Sequence, residues 1–343
     1  MSTMKRIVLA RRPQGKPTDA DFRLEEAPAP SPGPGEFLAR TIWLSLDPYM
    51  RGRMDDAKSY AAPVPVGGTM EGEVVAEVVE SNHPDFKPGD VVAERLGWTT
   101  HGVSDGTAAR RIDPSIAPLS TALGVLGMPG HTAWVGLNDI AKAEPGETLV
   151  VSAATGAVGS LVAQLGRNKG MKVIGVAGGD DKCRYAVEEL GCHVCLDHRA
   201  LSRERLERAI EEHAPEGVDV YYENVGGKTL EAVLPNMKVH GRIAVCGMIS
   251  WYSGADLSDM MPLNKAWRFI LTKRLRVQGL IVFDHKDRMG TFLAEVAPMV
   301  RDGRVKYRET VAEGLETAPA AFMTLLEGGN FGKQLVRVGP EPA

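Results

Sequence analysis

The residues best suited to hold a cofactor lie between positions 154 and 159, where the chain reads A-T-G-A-V-G. A glycine-rich turn between a strand and a helix can bind a pyrophosphate. Glycine lets the backbone come close to the anion, and the N–H groups of the helix start point at its oxygens. Here Ala154 replaces the first glycine of the usual turn, Gly156 admits the phosphate and Gly159 lets helix and strand pack closely. Gly156, Ala157, Val158 and Gly159 then present the backbone donors. A second cluster, GCHVCLDH at 191–198, spaces Cys192 and Cys195 like metal ligands with His193 and His198 nearby. A catalytic zinc site takes three protein ligands and a structural one four. No second cysteine pair exists, and a strand through this cluster would send alternate side chains to opposite faces, so no metal is expected.

The turn needs a strand before it and a helix after it, and the pattern supplies both. Leu149 to Val151 is a short apolar run, and Val158, Leu161, Val162 and Leu165 share one side of a helical segment. A second apolar run, 172–177, follows at the distance of a right-handed βαβ crossover. Beyond it the spacing predicts helices over 181–190 and 202–213, and strands over 194–197, 218–223, 242–246 and 276–283. Six strands with intervening helices make a doubly wound parallel sheet.

The part before residue 128 reads differently. Apolar and β-branched runs at 6–10, 36–46, 72–80 and 90–96 are separated by Pro/Gly turns such as APAPSPGPG and KPGD, which suggests a small twisted barrel. After 283 come a helix over 287–302, a strand-like 305–310, a helix over 318–327 and a final KQLVRV. This tail is assigned back to the first domain, so the domains are expected to run 1–127 with 307–343, and 128–306.

A length of 343 residues fits two domains, and 43% hydrophobic residues suffice for sizeable cores. A net charge of −4, with scattered lysines and arginines, offers no basic field for nucleic acid. The amino-terminal apolar run is too short for a signal peptide and no run approaches a membrane span. The four cysteines are then expected to be reduced thiols of a cytoplasmic protein.

Seven segments carry a family resemblance: SLDPYMRGRM (45–54), GMPGHTAWVGL (127–137), SAATGAVGS (152–160), ENVGG (223–227), CGMIS (246–250), QGLIVFD (278–284) and GNFGKQLVRV (329–338). Together the chain resembles the medium-chain dehydrogenase/reductase superfamily, in its zinc-independent branch of prostaglandin, leukotriene, plant double-bond and curcumin reductases. The resemblance implies an α/β fold in which a GroES-like β-barrel catalytic domain accompanies a Rossmann domain. It also implies a homodimer acting on a small-molecule enone or enal, with no nucleic-acid or membrane partner.

Cofactor choice follows in part from charge. NAD sites usually place an acid at the end of the second strand, whereas NADP sites gather cations around the extra phosphate. Here that strand ends Ala177-Gly178-Gly179, with Asp180 and Asp181 close behind. The resemblance implies Lys182 as a phosphate ligand. Where the family carries a tyrosine in a D-Y-K segment, this chain has Asp197-His198-Arg199; His198 can donate a hydrogen bond or, when charged, pair with the phosphate, and Arg199 can add charge. NADPH is therefore predicted over NADH.

The remaining contacts also come from the resemblance. Asn224 corresponds to a ribose-contacting asparagine, with a turn-forming role beside Gly226-Gly227 as the alternative. Cys246, Gly247, Met248, Ile249, Ser250 and Tyr252 line the nicotinamide-ribose side, and Cys246 is otherwise strand filler. Leu280, Ile281, Val282 and Asn330 close over the nicotinamide. Tyr252 faces the substrate as a catalytic donor, and Tyr49 is either a substrate contact or a core aromatic with a tethered hydroxyl. The 248–264 loop departs most from the relatives. The implied activity is NADPH-dependent reduction of an activated carbon–carbon double bond. A quinone reductase is the alternative of the same class, and a non-catalytic NADPH-binding protein the alternative of another class.

Overall fold

The computed structural model describes residues 3–254 and 260–342. It divides into two compact units, 1–124 with 309–343, and 125–308. The boundaries fall two or three residues from the expected 127/128 and 306/307. At the first of them the Val125 carbonyl lies where a Cβ on Gly130 would collide with it. Val125 therefore packs with helix α2 (Met128–Val135).

The first unit opens with β1 (Thr3–Leu9) and β2 (Phe22–Pro28), an antiparallel pair. It continues with β3 (Phe37–Leu46), the single-turn α1 (Met50–Arg53), β4 (Val74–Ser81), β5 (Val91–Glu94), β6 (His101–Ser104) and β7 (Arg110–Arg111). The returning chain adds β14 (Glu309–Glu313), α9 (Ala318–Leu326) and β15 (Lys333–Arg337). Seven of these strands form one sheet in the order β14-β15-β3-β4-β5-β7, with β6 paired to β3. β1 is stitched to this sheet by Ile7 N–H to Trp98 O (2.9 Å) and Met70 N–H to Ile7 O (2.9 Å). The result is the GroES-like barrel, filled by Leu44, Leu46, Met50, Val74, Trp98 and their neighbours.

Three of these strands were not anticipated. β2, reading FRLEEAP, is mostly charged outside Phe22, and β6 and β7 are too short to show a period. β14 begins at Glu309 rather than at 305, because its parallel pairing with β15 sets the register: Glu309 stands opposite Lys333.

The returning segment is held in two ways. Phe322 of α9 meets Trp98 edge-on at 5.7 Å, and Trp98 stacks on Phe22 at 5.6 Å. Lys333 Nζ donates to Asp47 Oδ1 at 2.6 Å and to Leu46 O at 2.8 Å. Ser45 Oγ donates to the other Asp47 oxygen. This pair ties β15 to the turn that carries Tyr49.

The second unit alternates strand and helix: β8 (Thr148–Ser152), α3 (Gly159–Asn168), β9 (Lys172–Ala177), α4 (Asp180–Glu188), β10 (Val194–Asp197), α5 (Arg203–His213), β11 (Val218–Glu223), α6 (Gly227–Val233), β12 (Met237–Val245), α7 (Leu263–Lys273), β13 (Arg276–Gly279) and α8 (Met289–Arg301). All its pairings are parallel, in the order β10-β9-β8-β11-β12-β13. Every residue of the central β8 is buried, as a strand covered on both faces must be. Leu161, Val162 and Leu165 of α3 face inward as expected. Two expected spans change. β12 starts at Met237, five residues early, and β13 stops at Gly279 instead of 283 because Leu280 makes the last rung, its N–H to Val245 O at 2.9 Å, before a tight 3-10 turn takes over at Val282.

The Asp47–Lys333 pair generates a stability prediction. Its side chains are only 7% and 4% exposed, so Lys333→Ala strands a buried carboxylate and is expected to lower unfolding stability by about 3–5 kcal/mol. A urea titration of the variant checks this. A loss below about 1 kcal/mol would mean that Asp47 finds another cation.

Candidate dinucleotide and reductase site

The carboxyl ends of the six strands of the second unit bring most of the expected residues to one edge. The order reverses between β8 and β11, and a crevice at such a switch point is where open α/β sheets take a ligand. After β8 the chain turns tightly. Ala153 adopts a positive φ of 49°, and Gly156 N–H donates to Ala153 O at 2.9 Å. A Cβ on Gly159 would collide with the Ala153 carbonyl, and one on Gly156 would come within 3.2 Å of it. Gly159 is therefore obligatory for the turn, and a side chain at 156 would be tight. Ser160 N–H and Leu161 N–H already donate to Gly156 O (3.0 Å) and Val158 O (3.1 Å), so the N–H groups at 157–159 are the ones placed to meet an anion.

A knot of hydrogen bonds joins the ends of β8, β11 and β12. Glu223 Oε1 accepts from Val225 N–H (2.6 Å), Gly226 N–H (2.9 Å) and Ser152 Oγ (3.1 Å). Asn224 donates its backbone N–H to Ser152 Oγ at 2.8 Å and its side-chain amide to Ser152 O at 2.7 Å. Glu223 O accepts from Cys246 N–H (2.9 Å) and Gly247 N–H (3.1 Å). The Asn224 side chain thus ties the end of β11 to β8, and the turn beside Gly226-Gly227 is held by Glu223 Oε1 rather than by Asn224. Glu223 and Ser152 were not foreseen. The one available signal was a carboxylate at the end of an otherwise apolar strand. Burial raises the Glu223 carboxyl, and the two backbone N–H donors oppose that rise.

The loop after β12 folds back on this knot. Ser250 donates from both N–H (3.0 Å) and Oγ (2.6 Å) to Val225 O, and a Cβ on Gly226 would lie 3.2 Å from the Trp251 ring. The Tyr252 hydroxyl accepts from Met248 N–H at 3.1 Å. Accepting that bond polarises the hydroxyl and makes its own proton a better donor. Burial pushes the Cys246 thiol up to about 12, so it is a neutral group rather than a thiolate. Leu280 and Val282 are buried beside the end of β12. Residues 255–259 of the divergent 248–264 loop lie outside the described residues.

Cations gather at the ends of β9 and β10. A Cβ on Gly178 would meet Arg199 Nε at 2.8 Å and His198 Nε2 at 2.9 Å, so the glycine makes room for both side chains over the strand end. Asp197, the nearest acid, is occupied: its Oδ1 accepts from Gly179 N–H (2.8 Å) and Arg199 N–H (2.8 Å). Asp181 pairs along its own helix with Arg184. Burial and the Arg199 charge lower Lys182. Burial, then Lys228 and Arg199, lower His198 so that it favours the neutral imidazole. These groups disfavour one another's charge, and a dianion among them would relieve the conflict. The residues present therefore fit the 2′-phosphate of NADPH.

In the first unit, the Tyr49 ring packs against the barrel core, and the Arg53 guanidinium lies 5.7 Å from its centroid. Burial and the Asp47 and Glu71 carboxylates hold its phenol well above the ordinary range, so it stays protonated. The buried Asn330 donates its amide to Gly332 O at 2.7 Å.

Cys192 and Cys195 do not converge with His193 and His198. His193 Nδ1 accepts from Val173 N–H at 3.0 Å, and His198 turns to Gly178. Among the described residues no group of three or more His, Cys, Asp or Glu could hold a metal ion, and no helix is long and apolar enough to cross a membrane. A recess of about 570 Å³ lined by Asn138, Asp139, Lys142 and Lys169 lies before β8 and β9, at the opposite end of the sheet from these loops.

Two family models match the chain: one described as the N-terminal domain of oxidoreductase over residues 5–112, and one described as zinc-binding dehydrogenase over 157–297. An NADPH-dependent curcumin reductase of Escherichia coli is 49% identical over 339 residues, covering 97% of this chain and 96% of that protein. Prostaglandin reductase 1 of Rattus norvegicus is 40% identical, covering 98% and 100%. The crystal structure of CurA from Vibrio vulnificus in complex with NADPH superimposes with a TM-score of 0.93 at 45% identity, covering 98% of this chain and 100% of that one. With such likeness along the whole chain, the protein belongs to the medium-chain dehydrogenase/reductase family, in the branch that holds the curcumin and prostaglandin reductases.

Proposed function

We infer that this protein is an NADPH-dependent reductase of the carbon–carbon double bond of α,β-unsaturated ketones or aldehydes. The full-length likeness to the curcumin and prostaglandin reductases carries this reading, and the cationic cradle at Gly178 supports the phosphorylated cofactor. When bound, NADPH supplies a hydride, which adds to the β-carbon of the substrate. The chain's own work is to hold and to donate. Gly156, Ala157, Val158 and Gly159 present backbone to the pyrophosphate, and Lys182, His198 and Arg199 take the 2′-phosphate. Asn224, the 246–250 turn, Leu280, Ile281, Val282 and Asn330 are the proposed cofactor contacts toward the reacting end. Tyr252 donates a hydrogen bond to the oxygen on which negative charge develops, and Tyr49 is the second donor. Solvent protonates the α-carbon.

The proposed reaction uses no zinc. The cysteine-free barrel and the scattered Cys and His ligands of the second unit support this. The four free thiols support a cytoplasmic location. We also propose a homodimer built on β13, the last strand of its sheet, whose four residues are all exposed. Beside it α7 presents Leu263 (72% exposed), Trp267 (58%) and Leu271 (75%) at four-residue spacing on one helical face. A strand edge with such a stripe is self-complementary about a two-fold axis. Leu271→Glu combined with Trp267→Glu is expected to yield a monomer by light scattering, and an unchanged mass would remove this surface.

Lys182→Ala removes a charge-assisted bond worth about 1.5–3 kcal/mol, so NADPH affinity is expected to fall by about one to two orders of magnitude with NADH affinity little changed. Calorimetric titration with both cofactors checks it. An equal loss for both would indicate damage to α4, and no loss would transfer the phosphate to His198 and Arg199.

The product distinguishes the chemistry. Incubation with a simple enone is expected to give the saturated carbonyl, undiminished by chelator, and turnover on the enone is expected to exceed that on a simple quinone. An allylic alcohol, or activity lost to chelator and restored by zinc, overturns the mechanism. Cofactor binding without oxidation across an enone panel would favour the non-catalytic reading. Tyr252→Phe is expected to lower kcat roughly ten- to a thousand-fold with NADPH binding nearly intact. Full activity would move the donor role to Tyr49 or the cofactor ribose.

A further inference from the structure

Three of the four cysteines meet beneath the phosphate cradle. Cys183 lies in the first turn of α4, one residue after Lys182, and Cys195 lies in β10, three residues before His198. Cys195 stands opposite Gly175 of β9 in the parallel pairing. A Cβ on that glycine would meet Cys192 Sγ at 3.1 Å and Cys195 Sγ at 3.5 Å, so the missing side chain is what gives the sulfurs room. The Cys195 thiol donates to Cys183 Sγ across 2.9 Å. Cys183 and Cys195 are both partly exposed, whereas Cys192 is buried.

We propose that Cys183 and Cys195 are a peroxide-sensitive thiol pair that closes to a reversible disulfide beneath the phosphate cradle. The chemistry divides between the two sulfurs. The hydrogen bond from Cys195 lowers Cys183, against burial and the Asp197 and Asp180 charges, while donating that bond and burial raise Cys195. Cys183 also sits in the first turn of α4, where the positive end of the helix dipole favours a thiolate, which makes it the nucleophile and Cys195 the resolving thiol. The Cys183 thiolate attacks one oxygen of hydrogen peroxide, breaking the O–O bond; the sulfur becomes a sulfenic acid and the other oxygen leaves as water after taking up a proton. Cys195 then attacks the Cys183 sulfur, the S–O bond breaks, and the hydroxyl leaves with the Cys195 proton as a second water. Two thiols are oxidised and one hydrogen peroxide is reduced to two waters. Burial pushes Cys192 up to about 12, and its thiol takes no part.

The test uses the full reduced chain, exposed to a small excess of hydrogen peroxide, alkylated and mapped by peptide mass. A single Cys183–Cys195 cross-link is expected, fully reversed by dithiothreitol, with Cys192 and Cys246 still alkylated. Cys192→Ser is expected to cross-link equally, and Cys195→Ser to leave a sulfenic acid on Cys183 that dimedone captures. A cross-link through Cys192, or oxidation of Cys183 past the sulfenic acid with no cross-link, overturns the thiol pair.

Discussion

The candidate site depends on one buried carboxylate. Glu223 ends β11 and would carry an unpaid desolvation cost if its oxygens faced only apolar neighbours. Instead Oε1 takes two backbone N–H groups of its own turn and the Ser152 hydroxyl of the adjacent β8. Its backbone carbonyl holds the two N–H groups that end β12. Three strand ends are thereby fixed against one another where the strand order reverses. The loops that bear Ala154 to Gly159, Asn224 to Gly227 and Cys246 to Tyr252 all start from these fixed ends, so the spacing between the phosphate turn and the 246–252 turn is set by backbone.

With the strand ends fixed, small residues decide how close the loops come. Gly159 yields to the Ala153 carbonyl, Gly226 to the Trp251 ring and Gly178 to His198 and Arg199. Each is a place where any Cβ would force a neighbour away. Gly178 differs from the other two in what it admits, since it makes room for a guanidinium and an imidazole. Oδ1 of the nearby Asp197 is taken by the Gly179 and Arg199 amides.

Much of this was legible in the sequence, and the exceptions have physical causes. The β8–α3–β9 unit was readable because a buried parallel strand is continuously apolar and its helix repeats every three to four residues. The six-strand sheet followed from repetition of that unit. β2 was not legible because its charged, largely exposed residues show no apolar alternation, and the ends of β12 and β13 were misplaced because register is set by a neighbour far along the chain. Lys182, His198 and Asn224 were assigned through position and resemblance. Ser152 and Glu223 were missed because their importance lies in pairing with each other, 71 residues apart. The cysteine cluster was noticed for the wrong pairing. Spacing suggested Cys192 with Cys195, whereas strand alternation and the approach of α4 join Cys195 to Cys183.

The order of the strands also sorts charge along the carboxyl edge of the sheet. At one end, after β10 and β9, stand His198, Arg199 and Lys182; in the middle, after β8, the N–H groups at 157–159; toward β11, β12 and β13 come Asn224, the neutral Cys246, Tyr252 and the apolar Leu280 and Val282. Six strands at ordinary spacing span about 24 Å, so the gradient from cationic to neutral extends over a distance that an extended dinucleotide can follow. A ligand carrying its phosphates toward one end meets attraction there and low polarity at the other, and the reverse orientation places anions among apolar side chains. Low polarity at the far end has a second effect. Where a bound ligand closes such a site to water, a single well-placed hydroxyl donor has more leverage on a developing oxyanion than it would in water. The same gradient that orients the cofactor therefore favours a reaction whose charge ends on an oxygen held by neutral donors.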